Sequence, residues 1–280
     1  MIAILGMGLL GSNFARALLA KGETVHVWNR SPERARALEA EGARAFTDAA
    51  EATRGASRVH VVVSDDAAVE SVLAAAKLEP GTLVIDHTTT STEGARKRSA
   101  RSDIVYVHVP VFMGPQNARE STGLMLVSGD RARVDRVRPI VATMTGKVID
   151  VGERVDAAAA FKLMGNTFLM GFTAAIADMI GLGKAIGISP SEAVSLFDHF
   201  NPGATIAARA KRVAAGEYRP ASWELAMARK DARLVEAEVG TAFPLLLVPA
   251  LAAKMDELIA QGHGSDDWTV IAKDFVPPVT

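Results

Sequence analysis

Cysteine is absent from all 280 residues, which excludes disulfide stapling, thiolate nucleophiles and sulfur-ligated metal centres and fits a reducing compartment. Aromatic residues amount to 5%, too few for the base-stacking platforms of single-strand nucleic-acid binders. Neither sign of charge dominates: 31 Lys and Arg against 32 Asp and Glu leave a formal net charge of −1. No general field therefore draws the chain toward nucleic acid or an anionic membrane. The expected partners are a small-molecule substrate and further copies of the chain, with no nucleic acid and no membrane. An apolar strand beginning at Met1 or Ile2 leaves no room for a signal or transit peptide ahead of it, so a cytoplasmic location is expected. With 49% hydrophobic and 22% charged residues, the composition is that of a globular protein, long enough for two domains or one large one with a substantial core.

Long apolar runs are also scarce. The one segment that needs weighing is Phe161 to Ile188, interrupted by Lys162, Asn166, Asp178 and Lys184. A membrane span needs about 20 largely uncharged residues, so this reads as a helix buried inside protein on several faces. Such a helix suits the centre of an all-helical domain or a subunit interface, and a homodimer or homotetramer is expected.

What the sequence does contain begins at once. Ile2-Ala3-Ile4-Leu5 runs into Gly6-Met7-Gly8-Leu9-Leu10-Gly11, followed by the amphipathic stretch Asn13 to Ala20 and a second strand-like run, Thr24 to Trp28. In a G-x-G-x-x-G turn the first glycine permits the tight bend, the second lets backbone approach a pyrophosphate, and the third lets helix pack on strand. Met7, Leu9 and Leu10 complete the loop whose N–H groups face the phosphates. The second strand ends in Asn29-Arg30-Ser31-Pro32, where an NAD-selective site usually places a carboxylate for the ribose hydroxyls. Asn29, a fixed cation at Arg30 and the Ser31 hydroxyl suit a 2′-phosphate instead, so NADP (NADPH) is favoured and NAD is the lesser expectation. Ser31 and Pro32 also read as N-cap and first residue of a helix, and the two roles are compatible.

Strand-like and helix-like stretches then alternate through Arg58–Val63, Asp66–Lys77 and Thr82–Ile85, with further strand candidates at Ile104–Val107, Leu124–Val127 and Lys147–Ile149. From about Asp156 the periodicity is helical, broken near Pro190, Pro202, Pro220 and Pro244. The expected fold class is α/β. Residues 1–155 form an N-terminal Rossmann domain with a doubly wound, mostly parallel sheet that binds NADP. Residues 156–280 form an all-α C-terminal domain built on a long central helix, for substrate and oligomerisation.

Hydride chemistry needs a proton donor or acceptor. Lys162 and Asn166 lie four apart, hence on one helix face, as polar exceptions in an apolar segment. A lysine at a helix start also commonly snorkels to solvent. His108 follows a strand and reads mainly as hydrogen-bonded structure. The six histidines show no ligand spacing, and no metal is expected.

Together these segments resemble the β-hydroxyacid dehydrogenase family, which includes 3-hydroxyisobutyrate dehydrogenase and is related to 6-phosphogluconate dehydrogenase. The resemblance runs nearly end to end. It implies that Gly6, Met7, Gly8, Leu9, Leu10, Gly11, Asn29, Arg30 and Ser31 bind the dinucleotide. Ser64-Asp65-Asp66-Ala67-Ala68-Val69 and Asp86-His87-Thr88-Thr89 resemble the family's loops beside the nicotinamide and its ribose, which adds Ser64, Asp65, Val69 and Thr89. Lys162-Leu163-Met164-Gly165-Asn166 matches the catalytic motif, implying that Lys162 is the general acid/base and Asn166 holds substrate. Trp223 through Lys230-Asp231 resembles a late motif, normally opened by Phe, whose lysine, here Lys230, lies by the cofactor. The substrate segment departs from the pattern: the family's Asp-Ala-Pro-Val-Ser-Gly-Gly is replaced by His108-Val109-Pro110-Val111-Phe112-Met113-Gly114. Pro110, Phe112, Met113 and Gly114 remain the implied substrate contacts, with the serine hydroxyl lost and backbone N–H groups left to bind an anion. Alternatively, Phe112 and Met113 turn into the core.

The implied activity is NADP-dependent interconversion of a small aldehyde or keto acid and its hydroxy acid. An imine reductase of the same fold is one alternative, though such enzymes usually carry Asp or Tyr in place of the lysine. A non-catalytic NADP-binding module is another.

Overall fold

The computed structural model describes residues 1–276; residues 277–280, the end of the expected C-terminal domain, lie outside the described residues. The first 150 residues alternate strand and helix. In order they are β1 (Ile2–Leu5), α1 (Leu9–Ala20), β2 (Val25–Trp28), α2 (Pro32–Arg36), β3 (Arg44–Phe46), α3 (Ala49–Thr53), β4 (Arg58–Val61), α4 (Asp66–Ala76), β5 (Thr82–Asp86), α5 (Thr92–Ser99), β6 (Ile104–His108), β7 (Val111–Phe112), α6 (Pro115–Glu120), β8 (Leu124–Val127), α7 (Arg131–Ala142) and β9 (Lys147–Asp150). Side chains that hydrogen-bond free N–H groups mark where helices start: Asp65 caps α4, Ser91 caps α5 and Asp130 caps α7.

Strands β1 to β6 form one parallel sheet in the order β3-β2-β1-β4-β5-β6. β1 is buried on both faces, which is why its run is continuously apolar. Ile2, Ile4, Val25 and Val27 pack with Phe14 and Leu18 of α1 on one side. Ala3, Leu5, Val59 and Val61 pack with Val69 and Leu73 of α4 on the other. The strand order reverses between β1 and β4, so the crevice that opens at a topological switch point lies beyond Leu5 and Val61.

The single sheet expected to run to residue 150 divides in two. β7, β8 and β9 form a separate three-stranded sheet in which β7 runs antiparallel to β8. Pro110 starts the departure: it has no N–H to give to a ladder, and its carbonyl accepts from Leu126 N–H at 3.0 Å. β3, at three residues, is too short for periodicity to show in sequence.

The chain separates into two compact units, Met1–Thr167 and Phe168–Thr280, with the division inside α8 (Ala157–Ala185). The second unit continues with α9 (Pro190–Ser195), α10 (Gly203–Ala215), α11 (Leu225–Val239) and α12 (Val248–Ala260), then a 3-10 segment, Trp268–Phe275. Leu225, Ala228, Met255, Leu258 and Val270 form its core. The buried Asp178 carboxylate accepts from the N–H groups of Leu246, Leu247 and Val248, at 2.6, 2.9 and 3.1 Å, and so fixes the start of α12. That contact explains one of the polar interruptions in the apolar segment.

By length and hydropathy α8 is sufficient to cross a membrane. The expectation that it is buried inside protein is not met within one chain: Phe168 is 53% and Met170 66% exposed, and Phe161, Leu163, Met164, Leu169 and Phe172 are exposed as well. An apolar pattern around several faces states that a helix must be covered; it does not state by which molecule.

Candidate active site

The glycine turn is sterically compulsory at two of its three glycines. Gly6 has φ +107°, and a β-carbon there would come within 2.1 Å of the Val62 carbonyl oxygen. A β-carbon on Gly11 would lie 1.9 Å from the Gly6 carbonyl oxygen. At Gly8, by contrast, nothing stands within 4 Å. Gly8 is the N-cap of α1 and offers no side-chain cap, so the first-turn N–H groups and the positive end of the helix remain available. An open glycine over uncapped donors fits a dinucleotide pyrophosphate. Leu9 projects outward beside it, 78% exposed.

Asn29, assigned to the dinucleotide from sequence, is used to brace this loop. Its Oδ1 accepts from Met7 N–H at 2.8 Å, and its Nδ2 donates to the Ser31 carbonyl at 3.0 Å. Ser31 is the N-cap of α2 without using its hydroxyl there. Arg30 and Ser31 are exposed, and Arg30 forms no ion pair among the described residues.

Beyond β4, Ser64 donates to Asp65 at 2.8 Å, while Asp65 accepts from Ala68 N–H at 2.8 Å and caps α4. Both are exposed, whereas Val69 is fully buried in the core. Thr89 is partly exposed and follows three buried residues. Asp86 accepts from Tyr106 Oη at 2.6 Å and Thr88 N–H at 2.9 Å. The buried Arg98 guanidinium donates to Tyr106 Oη at 2.9 Å.

Histidine chemistry under this loop was not legible in sequence. Arg58 Nε can only donate, so His60 Nε2 accepts from it at 3.1 Å. His60 Nδ1–H then donates to His87 Nε2 at 2.9 Å, and His87 Nδ1–H donates to the Val109 carbonyl at 2.8 Å. Both rings are neutral in this arrangement. Burial lowers the pKa of His87 to about 4, against a Val109 hydrogen bond that raises it; burial also lowers His60 and His108. The unfolded chain therefore binds more protons than the folded one between an ordinary pKa of 6.5 and about 4. Stability attributable to His87 is present above that window and is lost as pH falls through it. Urea midpoints should decline from pH 7 to pH 4.5, and His87→Gln, which can still donate to Val109 but takes up no proton, should flatten the decline. His108 Nε2 lies 2.8 Å from the Thr88 carbonyl, a structural role. Among the described residues no cluster of His, Asp or Glu is arranged to hold a metal.

The substrate turn divides its two large side chains. Pro110 is buried, and Met113 packs against the sheet core. Phe112 does not join it: the Lys162 ammonium sits over its ring, 4.1 Å from the centroid. The Gly114 N–H, expected to be available for an anion, is taken by Asn117 Oδ1 at 3.0 Å, because Asn117 at the third position of α6 folds back on the helix start. Lys162 and Asn166 share a face of α8, both partly buried. Burial lowers the Lys162 pKa from its ordinary 10.5, and among the described residues no charged neighbour offsets this. Lys230 lies on α11 in the second unit, 2.8 Å from Asp231 Oδ1.

Residues 1–152 match the model of the NAD binding domain of 6-phosphogluconate dehydrogenase. A probable 3-hydroxyisobutyrate dehydrogenase of Mycobacterium tuberculosis is 33% identical over 204 residues, covering 70% of this chain and 67% of that protein. This chain belongs to the β-hydroxyacid dehydrogenase family. It is an NAD(P)-dependent oxidoreductase with a Rossmann domain followed by a helical region. Among solved structures, an imine reductase from Pseudomonas sp. superposes with a TM-score of 0.88 at 24% identity, covering 98% of each chain. A reductive aminase from Aspergillus terreus in complex with NADPH and ethyl levulinate gives 0.89 at 20% identity, again over 98% of each. At those identities the likeness is one of fold.

Proposed function

We propose that this member of the family interconverts a small aldehyde or keto acid and its hydroxy acid, using NADP in preference to NAD. The observation that carries the reading is Lys162, partly buried, held below its ordinary pKa by burial, and one helical turn from Asn166. When bound, the nicotinamide supplies or accepts the hydride at the substrate carbon. Lys162 Nζ gives a proton to the carbonyl oxygen in reduction and takes one from the hydroxyl in oxidation. The Asn166 amide donates to the same oxygen and orients it.

For the cofactor, the support is the exposed guanidinium of Arg30 at the end of β2, with no carboxylate beside it in the sequence. Arg30→Ala should weaken NADPH by about 10-fold or more, the value of one charge-assisted hydrogen bond, and NADH far less. Fluorescence titration with both cofactors measures this, and equal losses would remove the assignment.

Phe112 favours a second reading, an imine reductase, since an aromatic face beside Lys162 suits a less polar substrate body. NADPH and NADH absorbance, followed with glyoxylate, succinic semialdehyde, methylmalonate semialdehyde, tartronate semialdehyde and a cyclic imine, separates the two. Turnover of the imine alone would overturn the hydroxy-acid reading. Tight NADPH binding with no turnover of any substrate would point to a non-catalytic module. The exposed apolar side chains of α8 support a homodimer or homotetramer with this helix in the interface; light scattering that finds a monomer at micromolar concentration would overturn it.

A further inference from the structure

We infer that Phe112 is a positioning residue for Lys162: its ring, seated on Gly165, holds the Lys162 ammonium at the point from which the proton is delivered. The inference rests on the reading of Lys162 as the proton donor.

A lysine side chain is a point charge on a flexible stem with rotamer entropy to lose. Proton transfer needs it within hydrogen-bond reach of the reacting oxygen. Among the described residues Lys162 has no ion pair or hydrogen bond to hold it, and burial is what acts on its charge. The face of Phe112 lies against it, 4.1 Å from ring centroid to Nζ. That separation lies well inside the range over which a ring attracts a cation.

The ring itself is fixed from both sides. Its backbone pairs with Leu124 across β7 and β8, while Val111 before it is buried and Met113 after it packs on the core. Its outer edge lies flat on α8: a β-carbon at Gly165 would stand 2.3 Å from Phe112 Cζ, 2.7 Å from Cε1 and 3.4 Å from Cε2. Gly165 and Lys162 are three apart and share a face of that helix. The missing side chain at one position thus admits the ring that holds the lysine at the other. The three atoms nearest to a methyl at Gly165 all belong to the Phe112 ring, so Gly165→Ala forces the ring off the place it holds.

The test is a double-mutant cycle on the full-length protein: wild type, Phe112→Ala, Gly165→Ala and the double variant. Two readouts are kcat and KM in the reductive direction, and the pH profile of competitive acetylation at Lys162, read by mass spectrometry without turnover. NADPH fluorescence serves as the folding control. Gly165→Ala should lower kcat about 10-fold or more, as small misplacements of reacting groups do, and change the acetylation profile, with little change in KM. Phe112→Ala should do the same, and adding Gly165→Ala to it should have no further effect on either readout. Equal effects of Gly165→Ala in both backgrounds, or an unchanged kcat and acetylation profile in Phe112→Ala, would overturn the inference. If Gly165→Ala does not fold, Phe112→Leu decides, because it keeps apolar bulk and removes the π face: it should behave as Phe112→Ala. Loss of activity in Lys162→Ala with no coupling in the cycle defeats the positioning role alone. Full activity in Lys162→Ala defeats the proton-donor reading, while the acetylation cycle still reports whether ring and glycine hold the lysine.

Discussion

Lys162→Ala should lower turnover about 10²- to 10⁴-fold, the range that a positioned general acid contributes, with NADPH affinity unchanged. Lys162→Arg should be nearly as inactive, because a guanidinium keeps the charge yet does not release a proton at any accessible pH. That pair of variants separates proton transfer from simple electrostatic attraction to the substrate oxygen. The pH dependence carries a sign as well. Reduction needs the ammonium, so its kcat should fall as pH rises through the Lys162 pKa, which burial places below 10.5. Oxidation needs the free amine and should rise over the same interval. Steady-state rates in both directions across the alkaline range check this; parallel profiles would show that another group controls the proton.

A comparably large loss is expected from Gly11→Ala, and it should differ in kind from Gly8→Ala. The added carbon at Gly11 would press within 1.9 Å of the Gly6 carbonyl oxygen. That oxygen belongs to a residue itself held at φ +107° against Val62, so neither side can retreat. Strain of about 1–3 kcal/mol in the fold is expected, as for other overpacked sites, together with loss of NADPH binding as the turn opens. At Gly8 a methyl meets no atom of the described residues within 4 Å beyond its chain neighbours. Gly8→Ala should therefore melt as wild type does without cofactor and lose only the stabilisation that NADPH confers. Thermal melts of the three proteins with and without NADPH distinguish these outcomes. Equal melting temperatures for Gly11→Ala and wild type would contradict the steric account.

Much of the candidate site was legible because its signals are local. A strand running into G-x-G-x-x-G and a helix is a statement about backbone sterics over about twelve residues. The spacing of Lys162 and Asn166 puts them on one helix face whatever surrounds them. Asn29 illustrates the limit: its position after β2 is visible in sequence, but its bond to Met7 N–H depends on two strands lying side by side. Gly165 sits inside the motif legible in sequence, but its contact with a ring 53 positions earlier in the chain is not. Likewise His60 and His87 become a pair only when β4 and β5 are neighbours.

What the sequence by itself determined is the α/β alternation, the nucleotide turn, the helix start at Ser31 and Pro32, and the polar pair on α8. Each follows from torsional preference, capping or periodicity within a few residues. Only the tertiary structure decided that the sheet breaks after Pro110, that Met113 turns to the core while Phe112 turns to Lys162, that Asn117 takes the Gly114 N–H, and that large apolar side chains of α8 such as Phe168 and Met170 stay exposed. Those outcomes depend on which distant surfaces meet, and periodicity records that a face needs a neighbour without recording which one.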